Sequence, residues 1–289
     1  MSEYIIMTDS ACDLPADFVT QRNIEVIPLT VTMDGKSFPH YPDSRNMSVK
    51  DFYTALRAGK TASTAAANVE QFKDAMTPFL KDGKDVIYLG LSSGLTSTVD
   101  AGNMAARELM EEFPGRKVYI IDSLCASLGF GALVLYAADK RDSGGTIDEV
   151  RDYIEGLKLH LCHWFTVDDL FHLKRGGRVS AATAILGSAL NVKPVLHVDD
   201  EGHLINVSKV RGRAASIKAL FQRMTETGTD IAGQTVYISH GDCEADALKL
   251  RDLVSQAGVK NIVINPIGPV IGAHSGPGTL ALFFIGTHR

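Results

Sequence analysis

Val86-Ile87-Tyr88-Leu89-Gly90-Leu91 is a continuous apolar run that leads straight into Ser92-Ser93-Gly94. A strand without a polar face has no side to turn to water, so it belongs in a sheet covered above and below, as parallel sheets are. The segments around it repeat the pattern. Upstream, Tyr4-Ile5-Ile6-Met7-Thr8 is β-rich and breaks at Asp9-Ser10, and residues 24–32 form another apolar run ending at the Asp34-Gly35 turn. Downstream, Val118-Tyr119-Ile120-Ile121 stops at Asp122-Ser123. Helical patterns fill the intervals. Ser48 with Asp51 and Asn68 with Gln71 resemble capping boxes, set before Phe52 and Leu56 and before Phe72 and Met76. Residues 98–113 and 127–140 read as helices, and Thr146 with Glu149 caps one more that reaches toward His160.

The second half mixes directions. Residues 194–198 and 203–210 flank Asp200-Glu201-Gly202 as an antiparallel hairpin. Residues 212–224 and 244–256 read as helices, and residues 235–239, 261–264 and 279–285 as strands. The expected fold class is α/β in two domains. Residues 1–160 form a mostly parallel, Rossmann-like sheet with helices on both faces, and residues 161–289 a mixed α/β domain.

Composition narrows the function. The chain has 289 residues, 45% hydrophobic and 22% charged, a soluble globular balance. Lys plus Arg is 29 against 34 Asp plus Glu, a formal net charge of -5, which argues against a nucleic-acid binder. The four cysteines are dispersed with no CxxC pair, as suits a reducing cytosol, and no zinc site is expected. No basic leader precedes the first strand, and the apolar stretches at residues 129–138 and 181–190 are too short to span a bilayer. A cytoplasmic, soluble protein with no transmembrane segment is expected.

Open α/β sheets place ligands in loops at strand ends. Ser92-Ser93-Gly94, with Thr96, Ser97 and Thr98 just after it, offers hydroxyls and backbone N–H groups at a helix start, suited to a carboxylate or phosphate. The plainer reading is N-capping. Ser93 as a nucleophile is the weak reading, since no G-x-S-x-G centres on it. Lys60-Thr61-Ala62-Ser63-Thr64 is a second hydroxyl cluster. Asp9, Asp13 and Asp122 end strands, where they either do acid–base or metal chemistry or, the favoured reading, fix loops by accepting from backbone N–H groups. Lys174-Arg175-Gly176-Gly177-Arg178 places Arg178 where it could neutralise a buried anion, or is a helix C-cap flanked by solvated cations. Residues 267–278 are dense in Gly and Pro around His274, a loop of rigid shape. Neither a P-loop nor G-x-G-x-x-G occurs, so no cofactor and no metal are expected.

In this order the segments resemble the DegV family along almost the whole chain. The matching pieces are Thr8-Asp9-Ser10 with Asp13-Leu14-Pro15, Lys60-Thr61 with Ser63, Ser92-Ser93-Gly94-Leu95 with Thr98, and Asp122-Ser123. Phe165-Thr166-Val167-Asp168-Asp169-Leu170, Leu173-Lys174-Arg175-Gly176-Gly177-Arg178, Lys193-Pro194, Lys209-Val210-Arg211-Gly212 and Ile271-Gly272-Ala273-His274 with Gly276-Pro277-Gly278 complete the series. The resemblance implies two α/β domains with a long-chain fatty acid such as palmitate buried between them. It implies that Thr61, Ser93 and Gly94 hold the carboxylate, with Ser63, Arg178 and His274 in a head-group or phosphotransfer network. It further implies a carrier that is no enzyme alone and presents its acid to the ATP-binding subunit of a fatty acid kinase. The family's Thr-Ser-x-Pro-Ser is replaced here by Thr61-Ala62-Ser63-Thr64-Ala65.

Such a division of labour agrees with simple energetics. Burying ~14 methylenes at ~0.8 kcal/mol each offers about 11 kcal/mol before ordering costs. A hydrogen bond to the charged head adds ~1.5–3 kcal/mol. The tail sets affinity and the polar loops set orientation. Residues 181–186 could line the apolar tunnel, although a core helix is the favoured reading of that run. The alternatives are a small-molecule enzyme, either a hydrolase using Ser93 or a carbonyl-binding enzyme using His274, and a regulatory anion-binding module.

Overall fold

The computed structural model describes residues 3–179 and 191–289. β1 (Tyr4–Asp9) leads through a short 3-10 turn to α1 (Ala16–Gln21) and β2 (Ile24–Ile27). A small antiparallel sheet follows, built from β3 (Thr30–Met33), β4 (Lys36–Pro39) and, after α2 (Val49–Arg57), β5 (Ala62–Ala65). α3 (Val69–Lys81), β6 (Asp85–Gly90), α4 (Thr98–Glu112), β7 (Val118–Asp122), α5 (Ser127–Asp142) and α6 (Ile147–Leu157) complete the first half. β2-β1-β6-β7 form one sheet, parallel throughout. β1 and β6 are buried at every position, and α3 packs with α4 and α5 with α6, so both faces are covered. The expected caps are present. Asn68 with Gln71 and Thr146 with Glu149 form reciprocal boxes, and the Ser48 hydroxyl accepts from the Asp51 N–H.

Every later strand joins a second sheet. It contains β8 (Leu161–Thr166), β9 (Val192–Val198), β10 (Leu204–Arg211), β11 (Thr235–His240), β12 (Asn261–Pro266) and β13 (Leu280–Ile285), in the order β10-β9-β8-β13-β11-β12. Only β11 and β12 run parallel among these pairs. α7 (Leu170–Arg175) follows β8, while α8 (Arg213–Thr227) and α9 (Glu244–Gln256) cover one face with Leu220, Met224, Leu250 and Val254 against Leu282 and Phe284. α10 (Pro269–Ser275) precedes β13. The opposite face, with Phe165, Ala281 and Phe283, belongs to the core cluster shared with the first sheet.

Several segments differ from the sequence reading. Residues 24–32 are two strands in different sheets, because Pro28 has no N–H to continue a ladder. The hydroxyl cluster at residues 60–64 runs into strand β5, which pairs with β3 and carries no strand expectation from the sequence. β8, with His163 and Thr166 among its buried apolar residues, carries no strand expectation from the sequence. The Gly/Pro segment around His274 contains a helix. Pro269 opens it and Gly276, at φ +78°, ends it, so these residues bound the helix instead of preventing it. The suggested tunnel wall at residues 181–186 lies outside the described residues.

One acid ties the halves together. Asp13 accepts from the Gly268 N–H at 2.8 Å and from the Ser127 hydroxyl, and its carbonyl accepts from the Asn265 amide at 2.7 Å. Burial raises its pKa, the hydrogen bonds from Ser127 and Gly268 oppose the rise, and the Asp9 charge adds to it, for a value of about 7. The folded protein therefore keeps a proton that the unfolded chain releases near pH 3.8. Stability from this group is full below that pH and is lost as pH rises to about 7. Asp13→Asn removes the titration. Urea unfolding at pH 4 and pH 8 should show the wild type losing more stability than the variant, by up to roughly 4 kcal/mol. Equal losses would show that Asp13 holds no such proton.

Candidate ligand-binding site

A cavity of about 270 Å³ lies between the two sheets. Its floor is the inner face of the second sheet, where Ala281 stands between Phe165 and Ser239 and Phe283 pairs with His163. Residues 64–66, the loop after β6, the start of α5 and one side of α10 form the rest. Most of the lining is apolar, including Leu29, Leu95, Val198 and Val270. His163 adds no charge. Its Nε2 accepts from the Ala126 N–H, its other nitrogen faces the Leu161 carbonyl, and burial drives its pKa far below the usual range.

Three polar side chains stand out on this wall. The Thr64 hydroxyl and His274 Nε2 are 2.8 Å apart. His274 Nδ1 is buried without a hydrogen-bond partner among the described residues. Burial, reinforced by the Arg178 charge, lowers the His274 pKa to about 4, so the imidazole is neutral at neutral pH. Arg178 donates to the Leu95 carbonyl at 3.2 and 3.0 Å and to the Gly176 carbonyl. It is half-buried, and among the described residues it has no carboxylate partner. A cation short of water and without a counter-ion is an anion site in waiting, since guanidinium geometry matches a carboxylate.

Of the residues expected at the site, the structure brings Arg178 and His274 together on the cavity and leaves the others off its lining. Thr61 is exposed ahead of β5. Ser63 pairs with Thr32 on the outer side, whereas Thr64 pairs with buried Val31 on the inner side, so Thr64 is the hydroxyl of this segment that faces the cavity. Ser93 is exposed, and its N–H donates to Asp122 at 3.1 Å. Gly94 packs against the backbone of Glu201 and Gly202, and the neighbouring Ser92 hydroxyl donates to the Gly202 carbonyl at 2.9 Å. That loop docks the β9–β10 turn, and its cavity-facing members are Leu91, Leu95, Thr96 and Ser97. The sequence reading missed Ser127, Ser239, Ser275 and Thr279 as lining groups. Thr64 would have been found by the two-residue alternation of a strand over residues 62–65.

The strand-end acids fix loops. Asp9 accepts from Ala11 N–H, the Tyr88 hydroxyl and Leu91 N–H, and Asp122 accepts from Ser93 and Leu124 N–H groups. No group of three or more His, Cys, Asp or Glu that could hold a metal occurs among the described residues. No helix among them is long and apolar enough to cross a membrane.

Comparison with known proteins gives this architecture its relatives. Residues 4–287 match the family model described as "Uncharacterised protein, DegV family". A DegV domain-containing protein of Clostridium perfringens is 42% identical over 287 residues, 99% of this chain and 98% of that one. A DegV family protein from Thermus thermophilus, solved in a study of its fatty acid binding, superposes with a TM-score of 0.87 at 29% identity, covering 98% and 99% of the two chains. Bacillus subtilis DegV, described as a fatty acid binding protein, superposes with a TM-score of 0.86 at 27% identity, covering 99% and 100%. With a family match over nearly its whole length and a similar fold throughout, the chain belongs to the DegV family.

Proposed function

We propose that the chain binds a long-chain fatty acid in this cavity. The carboxylate meets Arg178, Thr64 and His274, and the tail lies along the apolar floor. The observation that carries the reading is Arg178, a half-buried cation without a counter-ion among the described residues, beside a neutral Thr64–His274 pair in an otherwise largely apolar cavity. Fatty-acid-binding relatives of the same fold support it. A neutral His274 donates or accepts a hydrogen bond without adding a second charge, so the net charge of the head-group pocket is set by Arg178 and the ligand.

The reading extends to a carrier in the cytoplasm that performs no chemistry alone and offers its acid to a separate ATP-dependent kinase subunit. Natively purified protein, extracted with organic solvent, should release close to one fatty acid per chain in a mass spectrum. A lipid-free extract from protein that also fails to take up palmitate overturns the proposal. With ATP, Mg²⁺ and fatty acid, acyl phosphate should form only when the ATP-binding subunit of a fatty acid kinase is added. Product from this chain alone refutes the carrier reading.

Substitutions locate the head group. Thr64→Val removes a bond worth ~1.5–3 kcal/mol and should weaken palmitate binding tenfold or more, while Thr61→Val and Ser93→Ala stay within about twofold. The opposite ranking, measured by fluorescence displacement, would put the carboxylate on the outer loops. Gly176 touches the His274 ring so closely that a β-carbon would overlap Nδ1. Gly176→Ala should therefore displace the imidazole and weaken binding about as much as Thr64→Val. Wild-type affinity in this variant would show that the ring position is irrelevant to the ligand.

A further inference from the structure

α7 and α10 end on glycines, and each helix seats a histidine on the other's glycine. The His274 ring of α10 lies against the Gly176 α-carbon that follows α7. In return the His172 ring of α7 lies against the Gly276 α-carbon that follows α10, where a β-carbon would overlap the ring. Gly276 sits at φ +78°, donates to the Gly272 carbonyl at 2.9 Å and accepts from the Thr279 hydroxyl at 2.8 Å. Its position thus sets how α10 stops and how the chain enters β13. His274 is two residues before it.

His172 is itself oriented. Arg175 Nη2 lies 2.8 Å from His172 Nδ1 and, as a guanidinium, donates to it, which leaves the ring proton on Nε2 and the imidazole neutral. Burial first and the Arg175 charge second lower the His172 pKa, while Asp169 raises it. The only titratable side chain that α10 contributes is His274. Among the described residues no hydrogen bond from His172 reaches the cavity lining, and His172 is not part of that lining. Apart from the bond to Arg175, its ring packs on Gly276, in the segment that carries His274.

We propose that His172 is a positioning residue: seated on Gly276, it fixes the carboxyl end of α10 and thereby places the His274 imidazole in the cavity wall. The lock is a matter of ring shape. A flat side chain fits over a bare α-carbon, and a smaller one leaves the helix end free to turn. Its consequence for ligand affinity rests on the fatty-acid reading above; its consequence for His274 does not.

The test follows the His274 imidazole by NMR titration in the full-length protein, with palmitate binding measured in parallel, for wild type, His172→Ala and His172→Phe. Wild-type His274 should stay neutral down to about pH 4. In His172→Ala it should titrate at least about one unit higher, toward the value of a solvated imidazole, and palmitate should bind about tenfold more weakly. His172→Phe keeps the flat ring without the nitrogen and should restore both. If His172→Ala does not fold, His172→Leu, which fills the space without a planar ring, should shift the His274 titration in the same direction. An unchanged His274 titration in the truncated variant, or a phenylalanine variant as impaired as alanine, overturns the positioning role. A wild-type protein that binds no palmitate sinks the fatty-acid reading instead, and the His274 titration still decides the lock.

Discussion

α5 is apolar on every side, with buried residues around its whole circumference from Leu128 to Ala138, so no face of it tolerates water. The two sheets close on it from opposite directions. It contacts β1 and β6 of the parallel sheet and β8, β11 and β13 of the mixed sheet. Close approach needs small residues at the contacts. Gly129 lies against His163 and Phe283, and Gly131 against the Cys12 carbonyl. The start of the helix forms one wall of the cavity through Ala126 and Ser127. Ser127 in turn is bonded to Asp13 and Ser239, one from each half of the chain. The cavity is thus a consequence of how two sheets share one helix, at the end where the helix begins.

Within that frame the electrostatics are economical. Burial makes His163 and His274 neutral, and Arg178 alone on the cavity wall keeps a charge without a carboxylate partner among the described residues. By contrast, Lys193 pairs with Asp168 and Arg213 with Asp246. A single unmatched cation in a mostly apolar cavity selects for one anionic group attached to a hydrophobic body. The histidine seats on Gly176 and Gly276 then hold the neutral partner of that cation in place. Ring packing supplies the orientation that an ion pair would supply elsewhere, and adds no charge of its own.

Much of this was legible in the chain because it is local. The boxes at Asn68–Gln71 and Thr146–Glu149 depend on neighbours three residues apart, and the β9–β10 hairpin on its turn. The apolar run at β6 reports burial on both faces whatever packs there. Short elements were lost. α7 spans six residues and α10 seven, too few for a helical period to register; of α7 only the C-cap at Gly176 was legible, and the Gly and Pro that bound α10 read as loop. β4 and β5 carry four residues each and are held as strands by β3.

The sequence by itself determined which residue types were available for an anion, and in which segments: hydroxyls near residue 61 and residue 93, a cation at Arg178 and an imidazole at His274. Only the tertiary structure decided which of them share a wall. Strand side is set by pairing, and because β5 pairs with β3 so that Thr64 meets Val31, Thr64 turns inward while Ser63 turns out. The loop after β6 is likewise claimed by the β9–β10 turn, which takes Ser92 and Gly94 and leaves Ser93 facing solvent. Residue chemistry is carried along the chain, but the side from which a group is presented depends on partners far away in sequence, and a period of two reverses it with each single residue.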